Sequence, residues 1–294
     1  MSLNNFIPQI WSSRLLLQLH KSLVFGQPLV VNRDYEGEIQ AAGDTVRITS
    51  IGPVTVGNYS KNTTIGNPEV LDDAQSVLQI SQQKFFNFQI DDVDRAQQQP
   101  KVMDGAMGEA AYALANVADQ YIAGLYKTAS TTTTKGTAAA PVQLAAATSG
   151  TVQAAYEFLV TLGVLLDQVN VPSDGRWVII PPWFEGLLLK DNRFVAGYDP
   201  IQTGSRLNGV VGQAAGFVIM KSNNVVKVNT TGHTHHGTWA AMAGSNIGIS
   251  FANQLAEVEA YRPPTRFADA VKGLHLYGAA VVRPQAICTG YITY

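Results

Sequence analysis

The sequence contains little charge and almost no cysteine. Its 294 residues include one cysteine, Cys288, which excludes an internal disulfide and a cysteine-based metal cluster. Charged residues make up 14% of the chain, well below the roughly 25% of an ordinary soluble domain. The formal net charge of −2 excludes a strongly basic nucleic-acid-binding protein and an acidic solvated tail. Because 46% of the residues are hydrophobic, we expect a folded chain whose weakly charged surface is covered by neighbouring subunits.

Long apolar runs are also missing. The segment Leu15–Leu17 is too short for a membrane span and is followed by Gln18, His20 and Lys21. The first residues contain no basic stretch leading into an apolar one, so no signal peptide is predicted. The sequence therefore predicts a protein that is made and folded in a cytoplasm and has no membrane partner.

Residues 1–33 contain no acidic side chain and have the pattern of an arm with one short helix. Their basic residues include Arg14 and Lys21, and large apolar residues such as Phe6, Ile7 and Trp11 come early. Two alternating runs follow, Asp44–Ile51 and Val77–Phe88, which predict strands. The polar segment between them, which contains Tyr59 and Lys61, predicts the tip of a long two-stranded loop that needs a partner surface.

Helical periodicity is strongest between Lys101 and Lys127, where apolar residues recur every three or four positions. Asp91 and Asp92 are interpreted as helix-capping acids at the start of this region. Residues 129–150 are rich in threonine, alanine and glycine and predict a surface linker with no core of its own. A second helix over Val152–Val169 and a short buried strand over Trp177–Ile180 come next, and the chain ends in strands.

Few residues have the pattern of a chemical site. His233, His235 and His236 could bind a transition metal, but residues 200–256 contain no acidic side chain, and a solvated loop is the favoured interpretation. Ser245 lacks a nucleophile elbow, and no motif surrounds Cys288. There is no phosphate-binding glycine motif. We predict no catalytic, cofactor-binding or metal-binding residue and no enzymatic activity. A metal-dependent enzyme using the three histidines is the distant alternative.

The order of these parts resembles the major capsid proteins of tailed bacteriophages, which share the Hong Kong 97 capsid fold. Val31–Ile39 leading to Gly43–Ile48 is similar to the ascending strand of the family's extended loop. Phe88–Asp94 followed by the alanine-rich helix is similar to the return strand and spine helix. Gly175–Pro182 and Gly209–Asn223 are similar to strands of the axial domain. The resemblance covers nearly the whole chain.

The resemblance implies an α+β fold with an N-terminal arm, an extended β-hairpin loop, a peripheral domain containing the spine helix, and an axial domain. The implied boundaries are 1–33 for the arm, 34–89 for the extended loop, 90–150 for the peripheral domain with its spine helix, 151–262 for the axial domain and 263–294 for terminal strands of the peripheral domain. Copies of the chain are expected to form the hexamers and pentamers of an icosahedral shell around double-stranded DNA. This shell would belong to the virion and assemble in the host bacterial cytoplasm.

The resemblance also implies partners and contact residues. A portal, a scaffolding protein and a maturation protease are expected, with decoration proteins in some members. The expected intersubunit contacts are Phe6, Ile7, Trp11, Tyr59 and Lys61, and Arg14 and Lys21 are expected to face packaged DNA without sequence specificity. The same fold builds bacterial encapsulin compartments, which enclose cargo enzymes, and an encapsulin-type shell is the near alternative.

Overall fold

The computed structural model describes most of the chain from residue 24 onward. The described residues are 24–34, 45–51, 56, 58, 60–62, 64, 73–91, 102–146, 152–191, 210–228, 237–265 and 267–294. The architecture combines helices with several sheets, as the α+β prediction requires.

The spine helix predicted from periodicity is confirmed as α1, Val102–Ala123, which continues into a 3₁₀ turn over Gly124–Thr128. At 1.5 Å per residue its 22 residues span roughly 33 Å. The small residues Ala111, Ala115 and Ala118 are buried on one stripe, which lets α1 approach its neighbours closely. Two further helices are α2, Ala155–Gln168, and α3, Pro182–Leu188.

The described residues contain fourteen strands in three sheets. They are β1 Thr45–Ile51, β2 Asp73–Gln79, β3 Gln82–Asp91, β4 Thr134–Lys135, β5 Val142–Ala145, β6 Gln153–Ala154, β7 Arg176–Ile180, β8 Val210–Ala214, β9 Phe217–Lys221, β10 Val226–Val228, β11 Thr238–Ser245, β12 Ile249–Tyr261, β13 Ala268–Val281 and β14 Ile287–Thr293.

The largest sheet has nine strands in the order β6-β5-β14-β11-β7-β9-β8, with β10 paired to β11 and β4 paired to β14. Strand β7 lies inside this sheet and is buried along its whole length. Trp177 and Ile179 face one core, whereas Val178 and Ile180 face a second core formed with α2 and α3. Burial on both faces explains why this strand is a continuous apolar run without alternation.

A second sheet has the order β12-β13-β3, and all its pairings are antiparallel. Its inner face packs with α1 in the first core, where the ring of Tyr121 meets that of Tyr277 edge-on at 5.5 Å. Strands β1 and β2 form a separate antiparallel hairpin in which Thr45 pairs with Gln79 and Ile51 with Asp73. The two-stranded excursion predicted from alternation is present as this hairpin. The predicted second run, Val77–Phe88, is divided, because residues 77–79 belong to β2 and residues 82–88 belong to β3 in the three-stranded sheet.

Three local predictions are corrected. Residues 24–33 are not an arm, because Phe25, Val30 and Val31 are buried in the first core. The segment after residue 129 is not a linker without a core, since β4 and β5 pair with β14 and Leu144 is 3% exposed. Asp91 ends strand β3, opposite Ala268, and does not begin a helix.

The sheet pairing also differs from the predicted domain boundaries. Strand β14, assigned to the peripheral segment 263–294, pairs with β11 beside β7 in the nine-stranded sheet. Strand β12, assigned to the axial segment 151–262, pairs instead with β13 in the three-stranded sheet. Hydrophobic patterns predict strands but not their partners, which is why boundaries placed along the sequence cut across the sheets.

Candidate functional site

The candidate functional surfaces lie on the hairpin and on the three-stranded sheet. The hairpin is held at its base, where Leu78 and Ile80 are buried against Ala252 and Leu276. Beyond this base, Val56 is 93% exposed, and Lys61 lies exposed in a turn next to Asn62, whose φ is 66°. The other predicted loop contact, Tyr59, lies outside the described residues.

The predicted N-terminal contact residues and the predicted DNA-facing residues precede the described part of the chain. Phe6, Ile7, Trp11, Arg14 and Lys21 all lie outside the described residues. The same holds for the candidate metal ligands His233, His235 and His236, which fall in the connection between the paired strands β10 and β11. In the part of the chain that the structure describes, no group of three or more metal-ligating side chains is present.

Asp119 is a buried carboxylate that the sequence analysis did not single out. Its Oδ1 accepts hydrogen bonds from the backbone N–H groups of Val24 at 2.9 Å and Phe25 at 2.7 Å. Its Oδ2 accepts a bond of 2.8 Å from the amide of Asn224, which also donates to Asn116. Asp119 therefore fastens the segment from residue 24 to the spine helix. An acid on the buried stripe of an alanine-rich helix was the signal that could have identified it.

The environment of Asp119 shifts its titration. Desolvation by burial raises the pKa of this carboxyl above its ordinary value, and the bonds from Asn224 and the backbone of residues 24–26 offset part of that rise. Hydrogen bonds favour the charged form, whereas burial disfavours it, and burial is the larger effect here. The geometry is that of a structural anchor, because these bonds join the backbone of residues 24 and 25 and the side chain of Asn224 to helix α1.

The two residues weighed as nucleophiles are both buried. The Cys288 thiol donates a 2.6 Å hydrogen bond to the Thr133 carbonyl oxygen, and burial raises the pKa of this thiol to about 12. A protonated and inaccessible thiol cannot act as a nucleophile. Ser245 is 3% exposed at the end of β11. A cleft of about 580 Å³ between the end of α2 and the β13–β14 connection contains one charged residue, Arg283, and no acid.

The outer face of the three-stranded sheet carries an exposed apolar pair. Phe85 on β3 is 78% exposed, and its register partner Leu274 on β13 is 36% exposed. We call these two residues the Phe85 patch. The residues on either side of Phe85 point the other way, and Phe86 packs against the first core. Because the two side chains are neighbours across the strand pair, they form a contiguous apolar surface, which is a candidate for contact with another molecule.

A polar rim borders the Phe85 patch. Lys272 forms an ion pair of 2.8 Å with Glu259 and lies over the ring of Tyr261 at 5.1 Å from the ring centroid. The Tyr261 hydroxyl donates a 3.2 Å hydrogen bond to Asn87 on β3. An apolar centre within a polar rim is the usual anatomy of a protein–protein contact surface.

The fold and these surfaces agree with comparisons to known proteins. A family model described as "Phage capsid protein" matches residues 74–290. No curated protein matches the sequence. A structure from Mycobacterium phage Che8 is similar with a TM-score of 0.65 and 23% identity, covering 92% of this chain and 91% of that one. The capsid of Cyanophage P-SCSP1u is similar with a TM-score of 0.67 and 20% identity, covering 93% and 89%.

A third similar structure is a virus-like particle from Pyrococcus furiosus, with a TM-score of 0.53 and 13% identity, covering 97% of this chain and 99% of that one. At these identities the structures establish the fold, which is the Hong Kong 97-like capsid fold. Since the family model covers well over half of its length, the chain belongs to the phage capsid protein family. It is therefore a major capsid subunit, and the corresponding prediction from the sequence is confirmed. Among the described residues, no helix has the length and apolarity needed to span a membrane.

Proposed function

We propose that this chain forms the hexamers and pentamers of an icosahedral shell that encloses double-stranded DNA. The observation that carries the proposal is the family match over residues 74–290. The exposed hairpin and the Phe85 patch support it, because a shell subunit must contact several neighbours at once. The low charge fraction of 14% is consistent with a surface that is largely buried in an assembly.

The experiment is to express the chain with and without its scaffolding protein and to examine the product by sedimentation and electron microscopy. We expect closed particles of uniform diameter with hexameric and pentameric capsomers. A subunit that stays monomeric under both conditions, with no shells in virions or lysates, would contradict the proposal.

We further propose that the N-terminal residues act between subunits and toward DNA. Phe6, Ile7 and Trp11 would dock on a neighbour, whereas Arg14 and Lys21 would lie near DNA phosphates without reading sequence. Residues 1–23 include Arg14 and Lys21 and contain no acidic side chain, which supports an inward position. A buried aromatic anchor contributes about 2–4 kcal/mol at an interface.

The paired variants Trp11→Ala and Arg14→Gln test this proposal. Trp11→Ala should weaken shells without unfolding the subunit, and Arg14→Gln should leave assembly nearly unchanged. A density map of the filled particle gives the decisive measurement. Residues 1–23 on the outer surface, or Trp11 buried within its own subunit, would refute the assignment.

The hairpin tip is proposed to lie over an adjacent subunit through polar contacts that include Tyr59 and Lys61. Lys61 is exposed, so an ion pair there would contribute only about 0–1 kcal/mol. Lys61→Ala should therefore be tolerated, and wild-type subunits should separate in a denaturing gel. High-mass bands that disappear in Lys61→Ala would indicate a covalent shell and contradict the polar-contact proposal.

We also propose the assembly partners that the family resemblance implies. A portal, a scaffolding protein and a maturation protease would act during assembly in the host bacterial cytoplasm, and decoration proteins would bind the finished virion. Mass spectrometry of purified virions and of assembly intermediates would identify these proteins. If particles form in the absence of all these proteins, the shell needs only copies of this chain, and the proposal of assembly partners is contradicted.

An encapsulin-type compartment is the second candidate function. The specific observation in its favour is the similarity, over nearly all of both chains, to a virus-like particle that comes from a cellular organism, Pyrococcus furiosus, and not from a phage. The two candidates differ in what the particle contains. Purified native particles that release DNA after disruption support a phage capsid, whereas particles that release a folded cargo enzyme and no DNA support a compartment.

A further inference from the structure

Among the strands that the structure describes, β3 forms one edge of the three-stranded sheet. Its sheet neighbour is β13, and within the part of the chain that the structure describes no strand pairs with its other side. Soluble proteins usually protect such edges with proline, bulges, several charges or very short strands. The ten residues of β3 contain no proline, pair with β13 without a bulge, and carry charge only at Lys84 and the terminal Asp91.

The outer face of β3 adds an aromatic anchor to this open edge. Phe85 lies near the middle of the strand, is 78% exposed, and stands beside Leu274 on the neighbouring strand. Aromatic side chains at the centre of a polar rim contribute most to protein–protein binding when they become fully desolvated. The edge and the Phe85 patch are adjacent, so one partner can cover both.

The charges around the patch decide which class of partner fits. Lys272 is paired with Glu259 at 2.8 Å, so this lysine, beside the Phe85 patch, is already neutralised and does not favour phosphate groups. An open strand edge offers backbone N–H and C=O groups, and a polypeptide supplies the complementary groups. A shell built from one kind of chain places a second copy beside every subunit.

We propose that the outer edge of β3 and the Phe85 patch form an interface with a second copy of this chain in the shell, with Phe85 as its anchor. The inference rests on the proposed shell function. The second copy pairs with the backbone of β3 and desolvates Phe85 and Leu274, while Lys272, Glu259 and Tyr261 stay at the rim.

Photocrosslinking tests which molecule covers the patch. Phe85→p-benzoylphenylalanine is introduced in the full chain, and purified shells are irradiated. The expected product is a band at twice the subunit mass, whose crosslinked peptides both come from this chain. A crosslink to a different protein, to DNA, or to no molecule in intact shells would overturn the proposal.

Assembly of Phe85→Ala gives the energetic test, with Gln89→Ala as the matched control on the same exposed face of β3. Phe85→Ala should raise the subunit concentration needed for shell formation at least tenfold, whereas Gln89→Ala should change it less than threefold. The urea midpoints of both unassembled variants should match the wild type, because Phe85 makes few contacts within its own subunit. Assembly of Phe85→Ala at the wild-type concentration would overturn the inference, and a wild-type chain that forms no shells would overturn the proposed function instead.

Discussion

The subunit is expected to lose stability in mild acid because of His275. This side chain is 1% exposed, and its ring centroid lies 5.1 Å from that of Tyr277. Neither ring nitrogen has a hydrogen-bond partner among the residues that the structure describes. Burial therefore lowers the pKa of His275 from 6.5 to about 4, because the charged imidazolium would lose its hydration without gaining a partner.

The sign and size of the effect follow from this pKa. The unfolded chain takes up the proton near pH 6.5, whereas the folded subunit does so only near pH 4. The stability that neutral His275 contributes is complete above about pH 6.5 and is lost as the pH falls toward 4. A pKa lowered from 6.5 to about 4 corresponds to about 3 kcal/mol at most. Protonation would also place a second cation opposite Lys84, the register partner of His275 on β3.

The assay is urea unfolding of the unassembled subunit at pH 7.5, 6.5, 5.5 and 4.5, followed by tryptophan fluorescence. Trp177 is fully buried and reports on unfolding of the core. His275→Leu, which is apolar and similar in volume, should lose about 2–3 kcal/mol less stability than the wild type between the highest and lowest pH. Tyr277→Phe removes a neighbouring polar atom but no group that titrates in this range, so it should follow the wild type.

The wild type must be compared with His275→Leu because Asp119 changes the pH dependence of stability in the opposite direction. A carboxyl whose pKa is raised in the folded state favours folding more as the pH falls, so it opposes the effect of His275. Subtracting the His275→Leu curve from the wild-type curve removes this contribution. Equal losses of stability in the wild type and in His275→Leu over this pH range would refute the reasoning.

Two further predictions concern the joints that hold the subunit together. Asp119→Ala leaves the N–H groups of Val24 and Phe25 without their acceptor and should lower the free energy of unfolding, measured in urea, by about 2–4 kcal/mol. Asp119→Asn keeps an acceptor oxygen and should lower it less. A loss under about 0.5 kcal/mol in the alanine variant would show that water replaces the carboxylate. Gly278→Ala places a Cβ against the carbonyl oxygen of Gln79 and should lower the free energy of unfolding by about 1–3 kcal/mol. The control Gly186→Ala, on helix α3, adds a Cβ that meets nothing within 4 Å and should be neutral or slightly stabilising in the same measurement. Equal effects of the two substitutions would contradict this account of the hairpin base.

The elements that the sequence predicted well are those with a long, clear period. The spine helix repeats small apolar residues every three or four positions, and the structure begins and ends it within four residues of the predicted bounds. Strand β3 alternates in burial along its length, as its alternating sequence requires. These patterns arise within one element, so they are readable without knowledge of its partners.

Features that depend on distant contacts were missed. The segment from Pro28 to Arg33 has the composition of an arm, yet Val30 and Val31 are buried. Asp119, more than ninety positions away in the chain, holds the preceding turn against α1. The threonine-rich segment after Ala129 resembles a linker, yet Thr133 is fully buried and donates a 2.6 Å hydrogen bond to the carbonyl oxygen of Ile287. Low complexity predicts weak packing only where no distant strand supplies a partner.

The location of the assembly surface is the clearest example of a feature that the sequence alone does not determine. The sequence predicts that a chain with 14% charged residues must cover part of its surface, but it cannot identify the covered part. Phe85, Phe86 and Phe88 are close together in one strand, and composition alone treats them alike. Alternation along the strand separates Phe85 from Phe86 and Phe88, but only the pairing of β3 with β13 determines which face meets the core and leaves Phe85 outside beside Leu274. Because a shift of one residue would exchange these faces, the register of this pair determines which aromatic ring is available to another subunit.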